Sequence, residues 1–237
     1  MTDEVPERDP LADLVSRSIG MRVPSVEAEI LPSEEGVERK RLRFATPTGS
    51  SSAIFERLPR GETTEAQLLP FLARKTDRVP KLHSRGLPPA HVSLGPWVLI
   101  EDVYAAVLAC DGDPVEIIEA KRSIEAAVAK DLPALRALGL RDDPRSLPPS
   151  LAQAPRTLVH GQLSCANARR LSRGVVLVGW RRAFLGAAIL DPAALAMDLD
   201  RAGRAKDASA VRHAATADGG APLLAEAERF LSSTASR

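Results

Sequence analysis

The sequence predicts an α+β fold, with a small antiparallel sheet in its N-terminal part and a mainly helical C-terminal part. Residues 26–58 contain three strand-like segments separated by turn-rich segments, which is the pattern of an antiparallel meander. Residues 114–140 instead repeat apolar side chains every three or four positions, as an amphipathic helix does. An apolar fraction of 44% over 237 residues is enough to build a core.

The N-terminal part begins with a short amphipathic segment, Leu11 to Ile19, that predicts a capping or docking helix. A second helix is expected over Thr64 to Lys75, where Glu65 lies in the first turn and suits the helix dipole. The three strands of the meander are expected at VEAEIL (26–31), RKRLRFA (39–45) and SAIFERL (52–58).

The remaining elements follow from apolar runs and their interruptions. The run WVLIEDV, residues 97–103, predicts a short buried strand, and the helix over 114–140 is interrupted or kinked near Pro133. A proline-rich linker (144–155), an apolar strand GVVLVGW (174–180), a glycine pair (219–220) and a last helix ending at Leu231 complete the prediction.

The composition excludes several classes of function. Lys plus Arg (32) nearly cancels Asp plus Glu (31), so we expect neither nucleic acid nor membrane as a partner. The acidic, proline-bearing N-terminus does not resemble a signal peptide. Cys110 and Cys165 lie far apart without a nearby metal-binding pattern, which predicts no disulfide, no zinc site and a reducing, cytoplasmic environment.

One constellation points to phosphoryl transfer. The segment LVHGQLSCAN (158–167) is followed by the strand GVVLVGW and by LDPAALAMDL (190–199). Phosphotransferase loops place an acid near the substrate hydroxyl, an Asn on the metal ion, and a second metal-binding acid after the next strand. The order of elements here resembles the aminoglycoside phosphotransferase and choline kinase family, whose pattern is His-Gly-Asp, four residues, Asn, then Ile-Asp-Trp and Asp-Pro.

The resemblance implies a role for each matching position of this segment. His160 matches the family, with a structural role expected for its ring, and Asn167 matches the family's metal-binding Asn. Gln162 stands where the catalytic Asp belongs, and Gly179 stands where the metal-binding Asp belongs. The structural acids that tie the loop to the helices behind it fall at Asp191 and Asp198.

The first part of the chain resembles the family's N-terminal lobe. The family's strand lysine falls at Glu56, and Glu65 is the expected helix acid that pairs with that lysine beside the nucleotide phosphates. Backbone groups at Ile100, Glu101 and Asp102 are expected at an adenine ring. The resemblance thus implies a two-lobed protein kinase-like fold, with an N-terminal lobe over 1–102 and a helical lobe over 103–237 that contains a catalytic-loop-like segment, 158–182.

The departures from the family pattern predict a pseudokinase, which binds a small molecule or a protein and needs no cofactor. Gln162 cannot act as a base, and Gly179 supplies no oxygen to Mg²⁺. The alternative is an active phosphotransferase that uses ATP and Mg²⁺ with Asp191, Asp198 or Glu101 as unusual ligands. A third alternative is an enzyme repurposed for different chemistry. The sequence does not support it, because no base lies beside a nucleophile. The pair Arg181 and Arg182 is either solvated or binds an anion at the vacated metal position.

Overall fold

The computed structural model describes residues 9–89, 95–143, 145–217 and 220–235, and these form two compact units. The first unit comprises Met1–Ala66 and Lys81–Asp102, and the second comprises Gln67–Pro80 and Val103–Arg237. The predicted acidic N-terminus up to residue 8, the first residue of the proline-rich linker and Gly219 of the glycine pair lie outside the described residues.

The first unit is built on a five-stranded antiparallel sheet in the order β1-β2-β3-β5-β4. The predicted meander is confirmed, and the structure adds a strand, β4, that the sequence did not predict. The strands are β1 (Glu27–Ile30), β2 (Glu38–Thr46), β3 (Gly49–Arg57), β4 (Leu82–Gly86) and β5 (Trp97–Glu101). Because β5 lies between β3 and β4, its backbone is paired on both sides.

The two faces of this sheet differ because side chains alternate along each strand. One face, including Leu42, Phe44 and Phe55, forms a buried cluster with Val15 of the first helix, α1 (Pro10–Ile19). The side chain of Asp9 caps α1 by accepting the N–H of Leu11, and Gly20 ends it with φ 71°. The other face carries charged side chains, among them Arg39, Arg41 and Glu56.

The second unit combines six helices with two pairs of strands within its described residues. The helices are α3 (Val115–Val128), α4 (Leu132–Ala137), α5 (Pro149–Gln153), α6 (Leu190–Arg201), α7 (Ala205–Thr216) and α8 (Ala221–Ala235). The strands β6 (Arg156–Val159) and β9 (Phe184–Ala187) pair antiparallel, as do β7 (Ala168–Leu171) and β8 (Gly174–Leu177). One further helix, α2 (Thr64–Leu72), contains the boundary between the two units.

Three predicted elements differ in extent from the observed ones. The helix predicted over 114–140 is divided into α3 and α4, and Pro133 lies in the first turn of α4, where its missing N–H costs nothing. The strand predicted over 174–180 ends at Leu177, because Gly179 takes a left-handed conformation and a 3-10 turn begins at Trp180. The predicted linker over 144–155 contains the short helix α5.

The prediction that the cysteines form no disulfide is wrong. Cys110 and Cys165 are joined, and the described part of the chain has no free cysteine. Their separation of 55 residues gave no sign of this, because the fold rather than the spacing brings the 3-10 turns Ala109–Asp111 and Cys165–Asn167 together. The argument for a reducing compartment from cysteine usage therefore loses its basis.

A transmembrane helix is not found in the described segments, since no helix there is both long and apolar enough to cross a bilayer.

We expect Leu42→Ala to lower the free energy of unfolding by about 2–5 kcal/mol, because Leu42 is fully buried between the sheet and α1. The matched control is Ile30→Ala on the neighbouring strand, where the side chain is 79% exposed and a change within about 0.5 kcal/mol is expected. Urea denaturation of both variants measures the difference. Similar losses would mean that this face of the sheet is not the core.

Candidate functional site

The His-Gly motif directly follows β6, and a buried carboxylate from α6 holds its backbone. The N–H of His160 donates to Oδ2 of Asp191 at 2.7 Å, and the N–H of Gly161 donates to Oδ1 at 3.1 Å. Gly161 has φ 83°, and a Cβ there would lie 2.2 Å from the backbone oxygen of Arg182. Both facts require glycine at position 161, so the motif is set by backbone conformation and space as well as by chemistry.

The carboxylate of Asp191 belongs to a buried ionic cluster. The ammonium of Lys121 on α3 lies 3.1 Å from Oδ2 of Asp191 and 2.7 Å from Glu125, and it donates to the carbonyl of Leu158 at 2.6 Å. Burial opposes the charge on Lys121, yet the two carboxylates outweigh it and raise the Lys121 pKa. Burial also raises the pKa of Glu125, and Lys121 offsets only part of that rise.

The ring of His160 is completely buried and makes contacts within the second unit. Its Nε2 lies 2.9 Å from the carbonyl of Val178, so this nitrogen carries the proton and donates it. The ring centroid is 4.6 Å from that of Trp180, whose indole N–H donates to the carbonyl of Leu177. The imidazole thus connects the loop after β6 to the segment after β8, and these contacts are those of a structural histidine.

The structure brings Gln162, Asn167 and Gly179 together. The side-chain N–H of Asn167 donates to the carbonyl of Gln162 at 2.8 Å, and the backbone carbonyl of Asn167 accepts the N–H of Val178 at 2.9 Å. A Cβ built at Gly179 would lie 3.4 Å from Oδ1 of Asn167. The segment after β8 therefore passes directly beside the amide of Asn167, with no side chain at the nearest position.

Asp198, the second predicted structural acid, holds the middle of the loop. Its Oδ2 accepts the N–H of Cys165 at 3.1 Å, and its other oxygen lies 3.7 Å from the guanidinium of Arg201. The two acids of α6 therefore fix the loop at two points, His160–Gly161 and Cys165.

In the first unit, an acid stands at the position expected for the strand lysine, and this acid forms an ion pair with an arginine. Glu56 on β3 is 2% exposed, and its carboxylate lies 2.5 Å from Nε of Arg39 on β2, its cross-strand neighbour. The same guanidinium donates to the carbonyl of Pro32, in the loop between β1 and β2. The cation at this place in the sheet is thus Arg39, and Glu56 neutralises it.

Charged contacts also engage the predicted adenine-binding positions. The carboxylate of Asp102 accepts hydrogen bonds from Nε–H of Arg41 at 2.7 Å and from the hydroxyl of Ser52 at 2.8 Å. The side chain of Asp102 is only 4% exposed. The N–H of Glu101 donates to the carbonyl of Lys81 at 2.9 Å.

Two other predicted nucleotide-binding residues lie inside the first unit. Ile100 is 2% exposed and is paired in the sheet on both sides, with Ile54 and with Leu82. Glu65 is 3% exposed in the first turn of α2.

Solved structures of the same architecture identify the fold. An aminoglycoside-3'-phosphotransferase of type VIII superposes with a TM-score of 0.59 at 16% identity, over 93% of this chain and 98% of that one. The chain has the aminoglycoside phosphotransferase fold. Amicoumacin kinase in complex with AMP-PNP and Ca²⁺ gives a TM-score of 0.57 at 11% identity, over 89% of this chain and 78% of that one.

A choline/ethanolamine kinase family protein from Mesorhizobium loti gives a TM-score of 0.51 at 14% identity, covering 81% of this chain and 69% of that one. No protein-family model matches the sequence, and no curated protein matches it either. The mixed sheet-and-helix architecture predicted from the sequence is confirmed by these similarities.

The side chains at the loop do not supply the set of ligands that a magnesium ion prefers. Mg²⁺ prefers several hard oxygen ligands, usually including a carboxylate. Asn167 offers one amide oxygen, Gly179 offers no side chain, and the nearby carboxylates of Asp191 and Asp198 bind backbone N–H groups. Within the described ranges, no three His, Cys, Asp or Glu side chains are grouped so as to hold a metal ion.

The arginine pair lies shortly after Gly179 in the chain. Arg181 and Arg182 lie in the 3-10 turn that begins at Trp180, with Arg181 half-buried and Arg182 exposed. The backbone carbonyl of Arg182 packs against Gly161. The turn therefore lies beside the start of the loop, and the role of its guanidinium groups toward an anion stays a prediction.

Sequence reasoning missed two basic residues, one in each unit, that pair with the candidate residues described above. Lys121 lies on the apolar face of α3, between Ile117, Ile118 and Ile124, and a lysine at such a position signals a buried ion pair. Arg39 belongs to a run of basic residues on β2. Alternation along β2 separates Arg39 and Arg41 from Leu42 and therefore predicts a charged face.

We expect Glu56→Ala to lower the free energy of unfolding by about 3–5 kcal/mol, because it leaves the poorly exposed guanidinium of Arg39 without its carboxylate. The control is Glu38→Ala on the adjacent strand, whose pairs with Lys40 and Arg57 are more exposed and contribute less than about 1 kcal/mol. Chemical denaturation compares them. An equally small loss in both variants would show that the Arg39–Glu56 pair does not stabilise the sheet.

Proposed function

We propose that this chain is a kinase-fold protein that does not carry out ATP-dependent phosphotransfer and acts instead as a ligand-binding or regulatory module. The observation that carries the proposal is Gly179. The position nearest to the amide of Asn167 has no side chain, so a carboxylate is missing where the fold's chemistry requires one for Mg²⁺. Charge that develops on a transferred phosphoryl group would lack its main counter-charge.

Two further departures support the proposal. Gln162 is an amide, which has no ionisable proton near neutral pH, and loss of general-base help typically costs about two to four orders of magnitude in rate. Glu56 presents a negative charge where a lysine would meet phosphate oxygens, and Arg39 is already paired with it. These three defects concern the base, the metal and the phosphate, and no one of them compensates for another.

The class of ligand follows from the proteins that share the fold. The solved structures of similar fold include kinases of aminoglycosides and of amicoumacin. A hydroxylated or amino-bearing small molecule is therefore the first ligand class to consider for this chain, and a protein partner is the second. The composition still argues against nucleic acid and an anionic membrane surface.

The first test is thermal unfolding of the full chain with ATP, ADP or GTP, with and without Mg²⁺ or Mn²⁺. A ligand that binds only the folded state raises the unfolding midpoint by mass action. We expect no metal-dependent shift with any nucleotide, because the loop lacks a carboxylate for the metal. A metal-dependent rise would support the alternative, an active small-molecule phosphotransferase with an atypical metal site, and Asn167→Ala should then abolish ATP hydrolysis.

The second test restores the missing acids. Gly179 has φ 78° and ψ 52°, a left-handed conformation that Asp and Asn tolerate better than other side chains, and a Cβ there makes only ordinary contacts. We expect Gln162→Asp with Gly179→Asp to gain a Mn²⁺-dependent rise in the unfolding midpoint. The double change to Asn at both positions matches the size and backbone strain without the charges and should gain none.

Equal responses of the acidic and amide pairs, or no response of the acidic pair, would contradict the explanation. In either case the missing carboxylates would not be what prevents metal binding.

A further inference from the structure

The disulfide lies inside the loop that carries the candidate site. It joins Cys110, in the 3-10 turn Ala109–Asp111, to Cys165, which lies between Gln162 and Asn167. The two sulfurs belong to the only two cysteines of the sequence, so this bond is the single thiol-based element of the chain. Any change at this bond acts directly on the segment that positions Asn167.

The Cys110 side of the bond has several attachments that do not involve sulfur. The carbonyl of Cys110 accepts a guanidinium N–H of Arg204 at 2.7 Å, and that of Ala109 accepts one of Arg170 at 3.4 Å. The preceding residue, Leu108, forms a β-bridge with Arg169. The turn 109–111 is therefore anchored to β7 and to the α6–α7 connection by contacts that do not depend on the disulfide.

The Cys165 side is held mainly by contacts of a different kind. The N–H of Cys165 donates to Asp198, whose side chain is 34% exposed, and the N–H of Asn167 donates to Ser164 within the same loop. The neighbouring Ala166 is exposed. Partly exposed and local hydrogen bonds break more readily than buried long-range ones, so breaking the disulfide frees residues 164–166 first. The backbone carbonyl of Asn167 still accepts the N–H of Val178 at 2.9 Å and limits how far the movement spreads.

The two cysteine residues also differ in exposure. Cys110 is 1% exposed, whereas Cys165 is half-buried in the loop. Because attack on a disulfide requires access to the sulfur, this difference predicts that a thiolate attacks at Cys165 rather than at Cys110.

We propose that the Cys110–Cys165 disulfide is a redox-sensitive lock on the Gln162–Asn167 part of the loop, which a dithiol reductant opens without unfolding the second unit. The reductant's thiolate bonds to Sγ of Cys165, the S–S bond breaks, and Cys110 leaves as a thiolate that takes up a proton. The second thiol of the reductant then displaces Cys165, which is also protonated. The reductant is oxidised to its disulfide, and two electrons and two protons pass to the protein. The lock concerns the loop's conformation and does not depend on whether the chain transfers phosphate.

The test is hydrogen–deuterium exchange of the full chain before and after dithiothreitol. We expect amide exchange over residues 162–168 to rise at least about tenfold on reduction, while α3, α6 and the sheet of the first unit keep their protection. Re-oxidation should restore the slow exchange. Cys110→Ser with Cys165→Ser, which has no disulfide in either condition, should exchange fast in this segment and ignore dithiothreitol.

Three outcomes would overturn the proposal. Unchanged exchange over 162–168 after complete reduction would mean that the bond does not restrain the loop. Joint loss of protection in α3 and α6 would make the disulfide a structural staple instead of a lock. Failure of dithiothreitol to reduce the bond in the folded protein would show that the loop does not admit a thiol.

A pair of single variants tests the predicted asymmetry of access. In Cys110→Ser the remaining Cys165 thiol should react readily with a maleimide, whereas in Cys165→Ser the buried Cys110 thiol should be protected. The two variants are matched, because each removes the disulfide by a single sulfur-to-oxygen change. Equal labelling of both thiols would contradict the assignment of Cys165 as the attacked sulfur.

Discussion

The second unit depends on the interactions that the carboxylate of Asp191 makes. This carboxylate is buried at 1% exposure, accepts two backbone N–H groups of the loop and pairs with the ammonium of Lys121. Taking such charges out of water is costly, and the cost is offset only where further hydrogen bonds satisfy both ions. Here those partners come from β6, α3, α6 and the His160–Gly161 turn. The ionic cluster therefore fixes the positions of these elements relative to the loop.

This constraint explains how the loop can keep an ordered geometry without the acids that the chemistry of its fold would use. In phosphotransferases the Asn and the acid after the strand meet at a metal ion. In this chain the amide of Asn167 bonds back to Gln162, and its backbone carbonyl binds Val178. Polar groups of the loop are thus satisfied by one another and by α6, and the arrangement does not require a cation to hold it.

Much of this architecture could be predicted from the sequence. The strand pattern predicted the antiparallel meander, because that signal is local in sequence. The family resemblance at His160, Asn167 and Asp191 implied a loop tied to an acid of the following helix, and Asp191 binds the loop in this way. The Cys110–Cys165 and Lys121–Asp191 contacts could not be predicted, since each joins elements that only the packed fold brings together. The strand predicted over 174–180 is shorter in the structure, because Gly179 adopts a left-handed conformation just after β8.

Each unit pairs its buried or half-buried charged side chains internally. In the first unit Arg39 neutralises Glu56, and Arg41 neutralises Asp102. In the second unit the α6 carboxylates bind N–H groups, and a covalent bond holds Cys165. Charged side chains that are already paired gain little from a further contact, because each new contact must first break an existing one. Internal pairing of charges is therefore what satisfies the polar groups of each unit.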